Sequence, residues 1–159
     1  MSKKNMAQEI HIVPVLFEAN KATGVVAKFI NMKLYEKVEW IISFGTMGTE
    51  DYTFKMQASA AVAGTTATDL AFNYRKTAAA GTDTMGDVTA IAAASTMTAA
   101  YATDSTMLFI VDLDSSELTD AKPYAGVYLT RGTSATAQIQ IVALCWPKYP
   151  KETNAGALT

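Results

Sequence analysis

The chain has 159 residues, a mass of 17.0 kDa, 13 basic and 15 acidic residues, a net charge of −2 and a pI of about 5.3. One domain of this length buries roughly 70% of its unfolded surface and needs no metal or disulfide to fold. The near-neutral balance excludes a strongly basic nucleic-acid binder and a highly charged disordered tail.

Charged residues make up 18% of the chain, below the usual ~25%. Thr, Ser, Asn and small residues take their place. The single cysteine, Cys145, permits no intrachain disulfide and no thiolate metal cluster. The single histidine, His11, leaves most metal and triad chemistries without their residues. Met1 to Gln8 is polar and lacks the apolar core of a secretory signal. The Ala-rich stretches are cut by Thr, Ser, Asp and Gly, so no membrane helix is expected.

The dominant period is two. Glu9 to Phe17 is rich in β-branched residues, and Pro14 marks it as an edge strand or a bulge, because proline donates no ladder hydrogen bond. Val25 to Ile30 reads as a short strand. Asn31 to Lys37 is a helical candidate or a loop. Lys37 to Phe44 places Val38, Trp40, Ile42 and Phe44 on one face, and Gly45 and Gly48 then mark a turn. Tyr52 to Ala58 and Leu70 to Arg75 alternate again. The segments 60–68, 77–89 and 92–106 are rich in Thr, Ala and Gly without an amphipathic stripe, and are expected as loops and weak strands. Within them, Asp87 to Ala93 and Thr96 to Ala100 are candidates to pair with each other at an edge. Met107 to Leu113 aligns Met107, Phe109, Val111 and Leu113. Ser115 to Leu118 is expected as one helical turn with a serine N-cap, and Asp120 to Pro123 as a turn. Tyr124 to Arg131 and Gln138 to Cys145 close the series, the last with Ile139, Ile141, Ala143 and Cys145 on one face.

About eight strands with regular turn signals predict an all-β sandwich or jelly roll over residues 9–149, with long Ala/Thr-rich loops. An N-terminal arm, 1–8, and a C-terminal tail, 150–159, are expected outside that core.

Chemistry-bearing motifs are sparse. His11 lies between Ile10 and Ile12 with no paired nucleophile or carboxylate, and is expected to be structural. Cys145 sits between Leu144 and Trp146 and is expected to be buried. Asp112, Asp114, Glu117 and Asp120 form the one acidic cluster. Alternate aspartates on a strand point the same way and offer oxygen ligands to a hard cation, but the spacing is not that of a calcium loop. The competing reading is a solvated strand end. Gly45 to Gly48 is followed by no Gly-Lys-Ser/Thr, so no phosphate cradle is expected. The aromatic residues are spread over the chain, and most are expected in the core. No cofactor, no metal and no catalytic residue is assigned, and the chain is expected not to be an enzyme. Ala, Thr and Gly lose little side-chain entropy on burial and allow close approach, which suits packing against other subunits.

The chain resembles a family of capsid decoration (cement) proteins of tailed bacteriophages. The resemblance is carried by Glu9-Ile10-His11-Ile12-Val13-Pro14-Val15 and by Tyr35-Glu36-Lys37-Val38-Glu39-Trp40-Ile41-Ile42 leading into Gly45. It continues through Thr53 to Ala58, Leu70 to Lys76, Gly81 to Gly86, Phe109 to Leu118 and Ile139 to Leu144. It implies a β-sandwich on the outside of a capsid, with the major capsid protein as partner and a homotrimer as the favoured assembly. It also implies no direct contact with nucleic acid or membrane, and a virion location after assembly in the host cytoplasm. It carries over no functional residue. The arms supply the candidate contacts: Ser2, Lys3, Lys4 and Asn5 at one end, Lys148, Tyr149, Lys151 and Glu152 at the other. Other readings are a receptor- or glycan-binding module of a fibre, using Tyr101, Tyr124 and Tyr128, and a tail-tube or head-completion subunit.

Overall fold

The computed structural model describes residues 9–19, 25–26, 28–131, 138–149 and 157–158. They form an all-β sandwich of two antiparallel sheets. Sheet A contains β1 (His11–Ala19), β4 (Tyr35–Phe44), β7 (Phe72–Lys76), β8 (Thr89–Ile91), β10 (Leu108–Asp114) and β12 (Gln138–Pro147). Its strand order is β1-β12-β4-β10-β7-β8. Sheet B contains β2 (Val25–Val26), β3 (Ile30–Asn31), β5 (Tyr52–Ser59), β6 (Thr68–Leu70), β9 (Met97–Ala99) and β11 (Tyr124–Arg131). There β11 pairs with β2, β3 and β5, and β5 also takes β6 and β9.

The inward rows are those the alternation predicts. Val38, Trp40, Ile42 and Phe44 of β4 are buried, as are Phe109, Val111 and Leu113 of β10 and Ile139, Ile141, Ala143 and Cys145 of β12. Sheet B answers with Phe54, Met56, Val127 and Leu129. Phe44 joins the layers, its ring 5.4 Å from Tyr52 and 5.6 Å from Phe54 across the interface, and 5.7 Å from Phe109 in its own sheet. Centroid spacings near 5.5 Å suit edge and tilted aromatic contacts. Proline 14 is both things its chemistry allows: β1 is an edge of sheet A, and its register with β12 slips between Pro14 and Leu16.

Several expectations are corrected. The run Leu70 to Arg75 is not one strand. It breaks at Ala71, and the chain passes from sheet B to sheet A there, with Phe72 buried on arrival. Asp87 to Ala93 and Thr96 to Ala100 do contain strands, β8 and β9, but these pair with β7 and β5 in different sheets. The helical candidate at Asn31 to Lys37 is the end of β3, a turn and the start of β4. The turn at Ser115–Glu117 is a 3-10 turn capped by Asp114, not by a serine. The Asp114 carboxylate accepts the Ser116 N–H while Glu117 reaches back to the Asp114 N–H, a reciprocal capping box. A second short helix, α1 (Tyr101–Asp104), precedes β10.

The tail also differs from an arm outside the core. Ala157 is buried, and its carbonyl accepts the Asn31 N–H at 2.9 Å. Lys148 donates its backbone N–H to Leu34 at 3.1 Å. Lys148 and Ala157 thus flank the turn between β3 and β4, one at Leu34 and the other at Asn31.

Candidate functional site

The expected contact residues Ser2, Lys3, Lys4, Asn5, Lys151 and Glu152 lie outside the described residues. Lys148 and Tyr149 are described, and both are exposed beside the β3–β4 turn, Tyr149 at 74%.

The two residues with reactive side chains have structural settings. His11 Nδ1 stands 2.6 Å from the Tyr35 hydroxyl, and burial pushes the imidazole pKa below its ordinary value. Burial raises the Tyr35 phenol to about 12, helped by nearby Cys145. The phenol thus keeps its proton beside a neutral imidazole. Cys145 is fully buried, and desolvation pushes its thiol up to about 12. A thiol held there supplies no thiolate nucleophile at neutral pH.

The acidic cluster is drawn into local bonds. Asp114 caps the 3-10 turn, and its pKa is lowered first by the Ser116 hydrogen bonds and then by Lys148 and Lys37. Lys37 lies 2.8 Å from Glu39 and 3.8 Å from Asp112. Glu39 hydrogen-bonds to it first of all, and this raises the Lys37 pKa. Among the described residues, no three metal-ligating side chains gather.

The three tyrosines of the fibre reading do not form one platform. Tyr101 donates its N–H to Asp51, next to the start of β5, whereas Tyr124 pairs with Ser59 at the far end of that strand. Seven residues of strand separate these ends by about 23 Å. Between Tyr124 and Tyr128, Gly126 lies under the buried ring of Phe29.

The outward faces of the two sheets differ. Sheet B presents a polar face closed on itself: Asp69 accepts from Lys55 at 2.6 Å and from Gln57 at 2.8 Å, and Thr53 bonds Thr130. Sheet A has an apolar row across four adjacent strands, Pro14–Val142–Ile41–Ile110, continued by Arg75 on β7. Beside it lies a depression of about 460 Å3 lined by Ile110, Arg75, Asn73, Asp112 and the side chains of Met85 and Val88. Met85 bridges Thr77 while Thr89 pairs with Tyr74, so the strand edge bulges between them and carries Val88 outward.

A third surface is the loop of small residues. Residues 78–84 and 87–90 are exposed, and they are ordered by backbone bonds from Ala78 to Thr84 (2.8 Å) and from Gly86 to Lys76 (2.8 Å). Sequence reasoning identified this segment by composition. The apolar outward row was available in the alternation of β1, β4, β10 and β12, but only the register shows that its members are neighbours.

No helix among the described residues is long and apolar enough to cross a membrane. No protein-family model, curated protein or solved structure matches the chain.

Proposed function

We propose that the chain is a structural virion protein. It binds the outside of a tailed-phage capsid and stabilises the expanded shell by bridging neighbouring capsomers. The observation that carries this reading is the ordered, exposed loop of Ala, Thr and Gly between β7 and β8. It projects from a rigid sandwich with side chains that lose almost no entropy when covered. Such a surface suits flat, close packing on a large protein lattice, where many modest contacts add through multivalency. The resemblance to decoration proteins supports the same conclusion. The partner is the major capsid protein, the location is the virion exterior, and the activity is mechanical rather than catalytic. Binding only the expanded shell stabilises it by mass action.

Ala79→Arg and Ala80→Arg place long charged side chains at exposed positions of this loop. The reading expects both to weaken capsid binding at least about tenfold without changing the melting temperature. Unchanged binding by both variants removes the loop surface as its basis.

A further inference from the structure

Of the five large hydrophobic residues exposed on the described surface, three, Ile12 (42%), Phe17 (58%) and Val88 (52%), belong to the outward side of sheet A. Ile12 opposes Leu144 and Phe17 opposes Gln140, one row to either side of the Pro14–Val142–Ile41–Ile110 row. An outward sheet face ordinarily alternates to polar residues. Here its centre is apolar, its far side is walled by Val88 and Met85, and its near side is β1, the edge strand of the sheet among the described residues. We infer that this face takes a second copy of the chain, packed sheet to sheet about a two-fold axis that runs parallel to the strands between β12 and β4.

Three features of the face select that occupant and that axis. The first is self-complementarity. The axis reverses strand order, so Val142 meets the partner's Ile41 and Pro14 meets the partner's Ile110. One row away, Phe17 meets the partner's Leu108, and Gln140 meets the partner's Ser43. The second is charge. A two-fold axis centred on β4 itself would set Glu39 against its own copy, whereas the axis between β12 and β4 sets Glu39 against the partner's Leu144 and Asp112 against the partner's Ile12, and opposes no like charges. Glu39 and Asp112, which oppose each other across β4 and β10, keep Lys37 as their shared cation. The third is shape. The shelf from β1 to β10 is four strands wide, so the raised Val88 of each copy passes outside the other copy's β1 edge, where Ile12 and Phe17 are exposed. Four strands at ~4.8 Å and ten residues at ~3.3 Å give roughly 600 Å2 per copy, at the lower end of stable interfaces. Each copy in the pair keeps its 78–84 loop outside the contact, so the inference stands independently of capsid binding, and it sets a two-fold pair in place of the homotrimer that the resemblance implies.

The test is the molar mass of the full chain by sedimentation equilibrium over a concentration series. The inference expects a dimer that Ile41→Glu weakens roughly a hundredfold, with Phe17→Ser, at an exposed site, weakening it less. Ala80→Arg, remote from the face, leaves the dimer intact. Mixing Phe17→Cys and Leu108→Cys proteins with a bismaleimide of about 10 Å span gives a cross-linked pair that neither variant gives alone, because packed sheets stand ~10 Å apart. Two copies of the same position are also offset by three strand spacings, ~14 Å, across the axis, beyond that span. A monomer at every concentration, a trimer, or a dimer indifferent to both Ile41→Glu and Phe17→Ser overturns the inference. A dimer without the mixed cross-link overturns the placement of the axis.

Discussion

Lys76 on β7 holds the carboxylate of Asp104 at 2.8 Å, and Asp104 is one of the few buried polar residues of the described chain. The same carboxylate accepts the Ala100 N–H at 3.1 Å and the Thr103 hydroxyl at 3.2 Å. One side chain thus fastens α1 to sheet A at the point where the chain passes from β9 to β10. A buried carboxylate is tolerated only with such a set of donors.

Asp104→Ala removes the acceptor for all three groups and is expected to cost about 3 kcal/mol. Urea denaturation measures it. A loss under about 1 kcal/mol would mean that the fastening contributes little.

Two glycines hold Phe29. A Cβ on Gly126 would stand 3.0 Å from the ring, and one on Gly64 only 2.6 Å from it, with Gly64 also at φ +71. Gly81 has φ +70 but open space around it. Gly81→Ala therefore reports backbone strain alone, about 1 kcal/mol. Gly64→Ala adds overpacking and is expected to cost about 2 kcal/mol more than Gly81→Ala. Phe29→Leu combined with Gly126→Ala should cost less than the two single changes summed, because they relieve one contact. Strict additivity in thermal melts would contradict the contact.

The folded state prefers neutral His11, because burial lowers its pKa below 6.5. As pH falls through 6.5, the unfolded chain takes up the proton first. The stability that His11 contributes is present above that value and is lost as pH falls through the lowered folded pKa. Protonation makes both ring nitrogens donors, so that the Tyr35 hydroxyl then faces an Nδ1 that can only donate. His11→Gln should flatten the fall in stability between about pH 7 and pH 5. An unaltered slope in denaturation at several pH values would exclude this role.

Trp40 is fully buried, and its indole N–H meets no acceptor among the described residues. An unmet buried donor costs about 1–3 kcal/mol. Trp40→Phe removes that cost while losing some packing, so it is expected to change stability by no more than about 1 kcal/mol, whereas Trp40→Ala should lose about 3–5. Equal losses in the two variants would show that the N–H carries no penalty.

The sheet cores were legible because a buried apolar residue recurs at every second position of β4 from Val38, of β10 from Phe109 and of β12 from Ile139. The break at Ala71 was not legible. Leu70 packs against the core and Phe72 is buried, so period two runs straight through the passage between sheets, and nothing local states which sheet a strand joins. The cap was legible and misassigned. Asp114 and Glu117 have the spacing of a capping box, one residue before the serine chosen as N-cap. The Phe29 socket joins residues 29, 64 and 126, and no local pattern connects them. Of the contact residues taken from the terminal segments, Lys148 and Tyr149 are placed at the surface. Ala157 is buried and Leu158 packs against the core, but these two positions leave no periodic trace in the sequence.

The central claim is tested most directly by co-sedimenting the purified chain with expanded, decoration-free capsids of the phage that encodes it, beside unexpanded procapsids. The account predicts saturable binding to the expanded shells alone, at a fixed number of copies per capsid. Absence of binding to either shell, or equal binding to both, would contradict it.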